Sequence, residues 1–342
     1  VVKRKKLAPE EMPETLHWFK WEAYMTWISG IFLLGVVYFF GRGVYLLDPS
    51  HSKIGLGAGI AVVVGLLIGG YMVYDALWKS PLARTPAIAA LVSFGLIVVA
   101  AYGLTHLFSG RAAYLLLGAT LGSIMANNVS QVIVPAQRKM IAATRAGEPV
   151  DLSLGERAKM RSTHNHYMTL PVLFMMLSNH FPATYGHPLS WVVLILIVIF
   201  GAAAKYVMNE RGRSNRWIVA AGIVALAAAV TMTARASRMA GAASDFRNAP
   251  RVDFATAHAV IERRCVTCHS AHPTNPSFPQ PPSGIVLEDP RRIHDLAPRI
   301  MERAVVTKTM PLGNLTGMTE DERSTLGAWI AQGARIDSSV TR

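Results

Sequence analysis

Seven runs of apolar residues, separated by short clusters of charge, Pro and Gly, fill the first two-thirds of the chain. They lie near Tyr24–Leu47, Ile54–Leu77, Pro86–Phe108, Ala112–Val134, His166–Phe181, Leu189–Met208 and Trp217–Thr233. A helix needs about 20 consecutive apolar residues to cross the hydrocarbon core of a bilayer, and most of these runs reach that length. The fifth is shorter and contains Pro171 and several polar groups, so it has to face protein rather than lipid. The pattern predicts an all-α fold, a polytopic transmembrane bundle of seven helices over residues 1–246.

After Arg247 the pattern becomes that of a small soluble all-α domain, residues 247–342. Asp253 is placed to cap a helix running toward Arg264. Thr319 and Glu322 form a capping box for a second helix, which turns Leu326, Trp329 and Ile330 inward and stops at Gly333. Between them, five prolines from Pro273 to Gly284 read as an extended loop.

Composition agrees with a membrane protein. Of 342 residues, 51% are hydrophobic and only 16% charged, with a mean hydropathy of +0.31. These values exclude a soluble enzyme and a disordered chain, and two cysteines exclude a disulfide-rich scaffold. The net charge of +13 does not mark a nucleic-acid binder, because nearly all the excess sits between the hydrophobic runs. Sixteen Lys and Arg, from Lys3 through Lys79, Arg138 and Arg161 to Arg216, fall on one side; Lys53, Arg111, Arg235 and Arg238 fall on the other. The positive-inside rule makes the first side cytoplasmic and the C-terminal domain extracytoplasmic. That is the topology of a multi-pass protein of a bacterial inner membrane with its soluble domain in the periplasm.

Both cysteines lie in Cys265-Val266-Thr267-Cys268-His269. C-x-x-C-H attaches a c-type haem: the thiols add to its vinyl groups and the histidine ligates the iron. Met310, in Lys308-Thr309-Met310-Pro311, is a candidate sixth ligand, with Met301 and Met318 as competitors. A zinc site would need a second ligand pair and a thioredoxin-like dithiol a βαβ unit, and the sequence offers neither. The C-terminal domain therefore reads as a small class I-like cytochrome c.

Four segments carry a family likeness: Leu16-His17-Trp18-Phe19-Lys20-Trp21-Glu22-Ala23-Tyr24, Tyr45-Leu46-Leu47-Asp48-Pro49, Ile133-Val134-Pro135-Ala136-Gln137-Arg138-Lys139, and Tyr167 through Pro171 to His180. With Met310-Pro311-Leu312-Gly313-Asn314, they resemble the PuuD-type membrane-bound urate hydroxylases over essentially the whole chain. The resemblance implies oxidation of urate to 5-hydroxyisourate, with electrons passed to the fused haem c and on to a terminal oxidase or a soluble cytochrome. It also implies a further N-terminal membrane helix with its own histidine, to which nothing here corresponds. Where this chain has His166, the family tends toward Asn. The chain begins with Val at a basic segment, which suggests a preceding portion.

The resemblance assigns few catalytic residues, so intramembrane polar groups are weighed directly. Toward the cytoplasm lie His17, Asp75, Asn127, Asn128, Gln131, His164, Asn165 and His166. Asn127 and Gln131 are four apart, hence on one helical face, and Asn128 adjoins them. Amides match the edges of planar urate and a histidine removes protons, which makes His164, Gln131, Asn128 and His166 candidate catalytic residues; helix-to-helix hydrogen bonding is the alternative. Toward the outside lie His106, Asn179, His180 and His187. His166 and His180, fourteen residues apart on one helix, have a spacing at which a helix can carry haem b, with His180 as cofactor ligand. Urate oxidation releases two electrons and one haem c accepts one at a time, so either haem b relays electrons across the membrane or urate binds near the outer face. The rival functions are a membrane-anchored respiratory cytochrome and a quinol-linked electron carrier.

Overall fold

The computed structural model describes residues 20–40, 43–49, 52–210, 215–234, 239, 241–242, 244–246 and 248–336. His17 and the basic cluster Lys3–Lys6, together with Arg211, Arg213, Arg235 and Arg238, lie outside the described residues. The described chain is helical, without strands.

The membrane domain consists of α1 (Lys20–Leu34, extended by a π segment Gly35–Phe39), α2 (Leu56–Lys79), α3 (Pro86–Leu107), α4 (Gly110–Asn127), α5 (Val134–Ala146), α6 (Leu152–Leu177), α7 (Ser190–Glu210) and α8 (Arg216–Thr233). A π segment, Asn128–Ile133, joins α4 to α5 in one rod from Gly110 to Ala146. Local chemistry sets the ends. The side chains of Ser109, Asp151 and Asn215 each accept a hydrogen bond from the first turn of α4, α6 and α8, Pro86 opens α3, and Gly147 closes α5 in the left-handed conformation.

Six of these helical stretches are long and apolar enough to cross a membrane. The fifth of the expected runs does not qualify by composition: it begins at His166 within α6, the helix that also carries Arg161, His164 and Asn165. It is tolerated because α6 packs between α4 and α7, so its polar groups meet protein. Pro171 is buried against α7, where a Cβ on Gly201 would stand only 2.7 Å from its ring; the helices approach closely there because residue 201 has no side chain. The first run also ends sooner than its apolar character suggests, at Phe39 rather than Leu47, and Val44–Leu47 turns back over the end of the bundle.

α4 forms the middle of the bundle and buries Tyr114, Leu116, Leu117 and Leu121; the Tyr114 hydroxyl donates to the Ser190 carbonyl at 2.7 Å. The outer surface is apolar, with Phe32 73%, Leu91 70% and Val99 69% exposed. Large apolar side chains displayed this way around a bundle belong against lipid, and this is a membrane protein.

The C-terminal domain has its own core of Phe254, Ile261, Ile293, Met301, Leu326 and Trp329. Its helices are α9 (Phe254–Ile261), α10 (Pro290–Asp295) and α11 (Glu320–Ala331), with a further helical stretch over Ala297–Val306. Asp253 caps α9, and the Thr319–Glu322 capping box opens α11 as expected; Leu326 and Trp329 are buried and Ile330 half-buried. The domain sits on the end of the bundle that carries Val44–Pro49 and Pro182–Pro188. Tyr45 and Phe278 meet edge to face at 6.5 Å, and Gly313, at φ +52, lies where a Cβ would come within 2.9 Å of the Leu47 carbonyl oxygen.

Glu322 also receives hydrogen bonds from Arg264 Nε (2.9 Å) and Arg263 Nη1 (3.2 Å). Burial alone would raise its carboxyl, but the Thr319 N–H and the two arginines hold it below the usual carboxylate range. A depressed folded value means stabilisation that is present above the unfolded pKa and is lost as the pH falls through the folded one. Glu322→Gln should therefore destabilise α11 by about 1 kcal/mol at neutral pH and flatten the loss of stability in acid, as measured by hydrogen exchange of α11 against pH.

Candidate functional site

The C-x-x-C-H segment forms a turn in which the His269 N–H donates to the Cys265 carbonyl at 2.9 Å. The two cysteines are not joined as a disulfide. Burial, reinforced by neighbouring Cys268, pushes the Cys265 thiol up to about 12. Among the described residues, no three His, Cys, Asp or Glu side chains cluster to hold a metal ion. His269 Nδ1 lies 3.0 Å from the Ile285 carbonyl oxygen; donation there fixes the tautomer and leaves Nε2 as the acceptor nitrogen. Burial also holds the ring below its ordinary pKa, which favours the neutral form that can ligate iron.

Cys265, Cys268, His269 and Met310 line one cavity of about 1480 Å³. Met301 and Met318, 2% and 3% exposed, are packed into the apolar core instead. The Met310 loop is pinned from both sides: its N–H donates to the Arg303 carbonyl at 3.0 Å, and its carbonyl accepts from buried Arg323 at 2.8 Å. Arg323 also donates to the Ala304 carbonyl, tying the loop to the preceding helical stretch. Two free thiols, an oriented imidazole and a thioether around a large space fit the demands of a covalently attached haem.

The membrane domain forms the opposite wall of the same cavity with Tyr45, His106, Arg111, Asn179, His180 and His187. Arg111, in the first turn of α4, donates through Nε to Asn179 Oδ1 at 2.9 Å, and its guanidinium lies 5.0 Å from the centre of the Tyr45 ring. Behind them lies the buried Tyr38 hydroxyl, a neighbour of both Asn179 and Arg111. His180 does not share a helical face with His166. α6 ends at Leu177, and His180 falls in the 3₁₀ turn Ser178–His180, exposed at the cavity. This corrects the expected ladder of two histidines on one helix: the helical spacing stops three residues before His180.

The inner polar set is only partly brought together. Tyr74 Oη is 2.7 Å from His164 Nδ1 and accepts from Asn128 Nδ2 at 3.1 Å; the same amide nitrogen reaches Asn165 Oδ1 at 2.8 Å. Trp78 packs on His164, and buried Arg161 pairs with Asp75 at 2.8 Å. Asn128 Oδ1 and Arg161 Nη1 have no partner among the described residues. Gln131 is exposed and stands outside this network, and His166 instead lies 3.4 Å from Lys205 Nζ. Gln131 lies in the π segment Asn128–Ile133, which Asn127 directly precedes; Asn127 is half-buried and Gln131 exposed. Asn127 bonds back to the Ser123 carbonyl at 2.9 Å.

Sequence reasoning placed Arg111 only as a topological charge and missed Tyr45 as a wall of the cavity. It also missed Arg161 as the buried partner of Asp75. The available signal for Arg111 was its rarity, as one of only four basic residues assigned to the outer side.

The model of the urate oxidase N-terminal family matches residues 1–234. No curated protein and no solved structure matches the chain.

Asn128→Leu removes two hydrogen bonds from the inner network and strands the Asn165 amide oxygen. It should lower stability by about 1–3 kcal/mol, seen as earlier thermal unfolding in detergent. Gln131→Leu, at an exposed position, should leave the unfolding transition within about 0.5 kcal/mol of wild type.

Proposed function

The chain belongs to the urate oxidase N-terminal family, and we propose that its membrane domain oxidises urate to 5-hydroxyisourate and passes the electrons to a haem c in the C-terminal domain. The observation that carries this reading is the shared cavity. The C-x-x-C-H turn forms one wall and a polar face of the membrane domain forms the other.

In this reading Cys265 and Cys268 would anchor the haem, His269 would ligate its iron and Met310 would supply the sixth ligand. The cavity position of Met310, against the core positions of Met301 and Met318, favours that choice. A haem bound there accepts one electron at a time, and thioether ligation raises its potential. Urate and water become 5-hydroxyisourate with release of two electrons and two protons, so the electrons leave in two steps. An external one-electron acceptor, a soluble cytochrome or terminal oxidase, takes each in turn. The charge pattern along the chain supports placing the cavity on the periplasmic side of an inner membrane.

Anaerobic addition of urate to the purified protein should reduce its haem c, seen in the optical spectrum, in a ratio approaching two haems per urate. Reduction by a quinol but not by urate would instead identify a quinol-linked cytochrome. A separate non-covalent haem band would identify a haem b relay. Met310→Ala should lower the haem potential and open the sixth position to added ligands, whereas Met301→Leu should leave the potential near wild type; redox titration distinguishes the two.

A further inference from the structure

We propose that urate is bound and oxidised in the cavity between the two domains, its anionic edge held by Arg111 and the neighbouring amide of Asn179. The location rests on the urate-oxidising reading above and narrows it to one place in the molecule.

Arg111 is built as an anion receptor. Its Nε is committed to Asn179 and its face to the Tyr45 ring, which fixes the plane of the guanidinium, while no carboxylate pairs with it among the described residues. A planar fork held in one orientation matches a planar anion with adjacent acceptor atoms, and urate is a planar monoanion at neutral pH. Asn179 Oδ1 is taken by Arg111, so the amide brings its N–H donors to the same edge.

Charge and volume leave room for a second guest. Three cavity arginines, Arg111, Arg299 and Arg303, have no carboxylate partner among the described residues, whereas Arg264 is paired with Glu322 and Lys308 with Glu320. The cavity of about 1480 Å³ also exceeds the roughly 300–1,000 Å³ of a pocket for a single small ligand.

Distance decides between this site and the inner network. Arg111 stands in the first turn of α4 and Asn128 just past its last, about 25 Å apart at ~1.5 Å per residue. Electron tunnelling falls off exponentially with distance, so substrate bound at Asn128 and His164 would need a relay to reach the C-x-x-C-H turn. Substrate held by Arg111 shares a cavity with that turn. The oxidation balances there: urate and water give 5-hydroxyisourate, two protons and two electrons. The two electrons are balanced by two reductions of the external one-electron acceptor, for which a haem at the C-x-x-C-H turn would supply the path. The imidazole of His180, next to Asn179 and exposed at the cavity, is suited to pass protons to solvent.

Two measurements on the full haem-loaded chain test the assignment. In the first, urate is added to sealed membrane vesicles of either orientation. Prompt haem c reduction is expected only where the C-terminal domain faces the added urate, and reduction only in the opposite orientation overturns the proposal. In the second, binding of the non-oxidisable analogue 8-azaxanthine is measured by calorimetry. Arg111→Gln should weaken it by about ten- to a hundredfold, with partial recovery in Arg111→Lys and unchanged covalent haem content and reduced spectrum. Unchanged affinity in Arg111→Gln overturns the proposal; if the haem potential shifts at the same time, Arg111 serves a propionate instead. A wild-type protein that neither binds the analogue nor reduces its haem with urate overturns the urate reading itself, and the location with it.

Discussion

A helix in hydrocarbon has no water to turn to, so every polar side chain it carries must find a protein partner or line a cavity. In this chain the constraint bears hardest on α6, which brings Arg161, His164, Asn165 and His166 into the bundle along with Pro171. It is met by placing α6 between α4 and α7. α4 answers with Asn128, α2 with Tyr74 and Asp75, and α7 with Lys205 and the space at Gly201. The remaining helices can then present Phe32, Leu91 and Val99 outward.

The same helix organises the other end of the membrane domain. Where α6 stops at Leu177, its last turn tightens and delivers Asn179 to Arg111 at the start of α4. That pair lies in the wall of the cavity closed by the C-terminal domain. One helix therefore links a sealed hydrogen-bonded network at one end of the bundle to an open, arginine-rich surface at the other. The contrast between them is chemical. Inside, most polar groups are paired and Arg161 has its carboxylate; at the cavity, cations outnumber carboxylates and solvent or a ligand supplies the balance.

Domain fusion adds a second constraint. Val44–Pro49, the loop around Gly186 and the segment Met310–Asn314 meet closely enough that Gly313 accommodates the Leu47 carbonyl without a side chain. A tethered domain at such short range gives its partner surface a high effective concentration. The Met310 loop is pinned by Arg323 and Arg303 on one side and borders the membrane domain on the other, so the residues proposed to hold the haem and those proposed to hold the substrate line one cavity.

The sequence by itself determined the elements. Apolar run lengths, capping residues such as Asp253 and Thr319, and the C-x-x-C-H turn are local facts, because a helix cap or a ligand turn depends on neighbours a few residues away. Charge placement likewise predicted which end of the bundle receives the C-terminal domain's side of the membrane. Convergence was decided only by the tertiary structure. Whether Gln131 joins the inner network depended on packing that leaves it exposed, and whether His180 continues the face of His166 depended on where α6 ends. The meeting of Arg111 with Asn179, 68 residues apart, arises from the packing of α4 against α6 and the turn that follows it, and no local pattern encodes a contact made across the bundle.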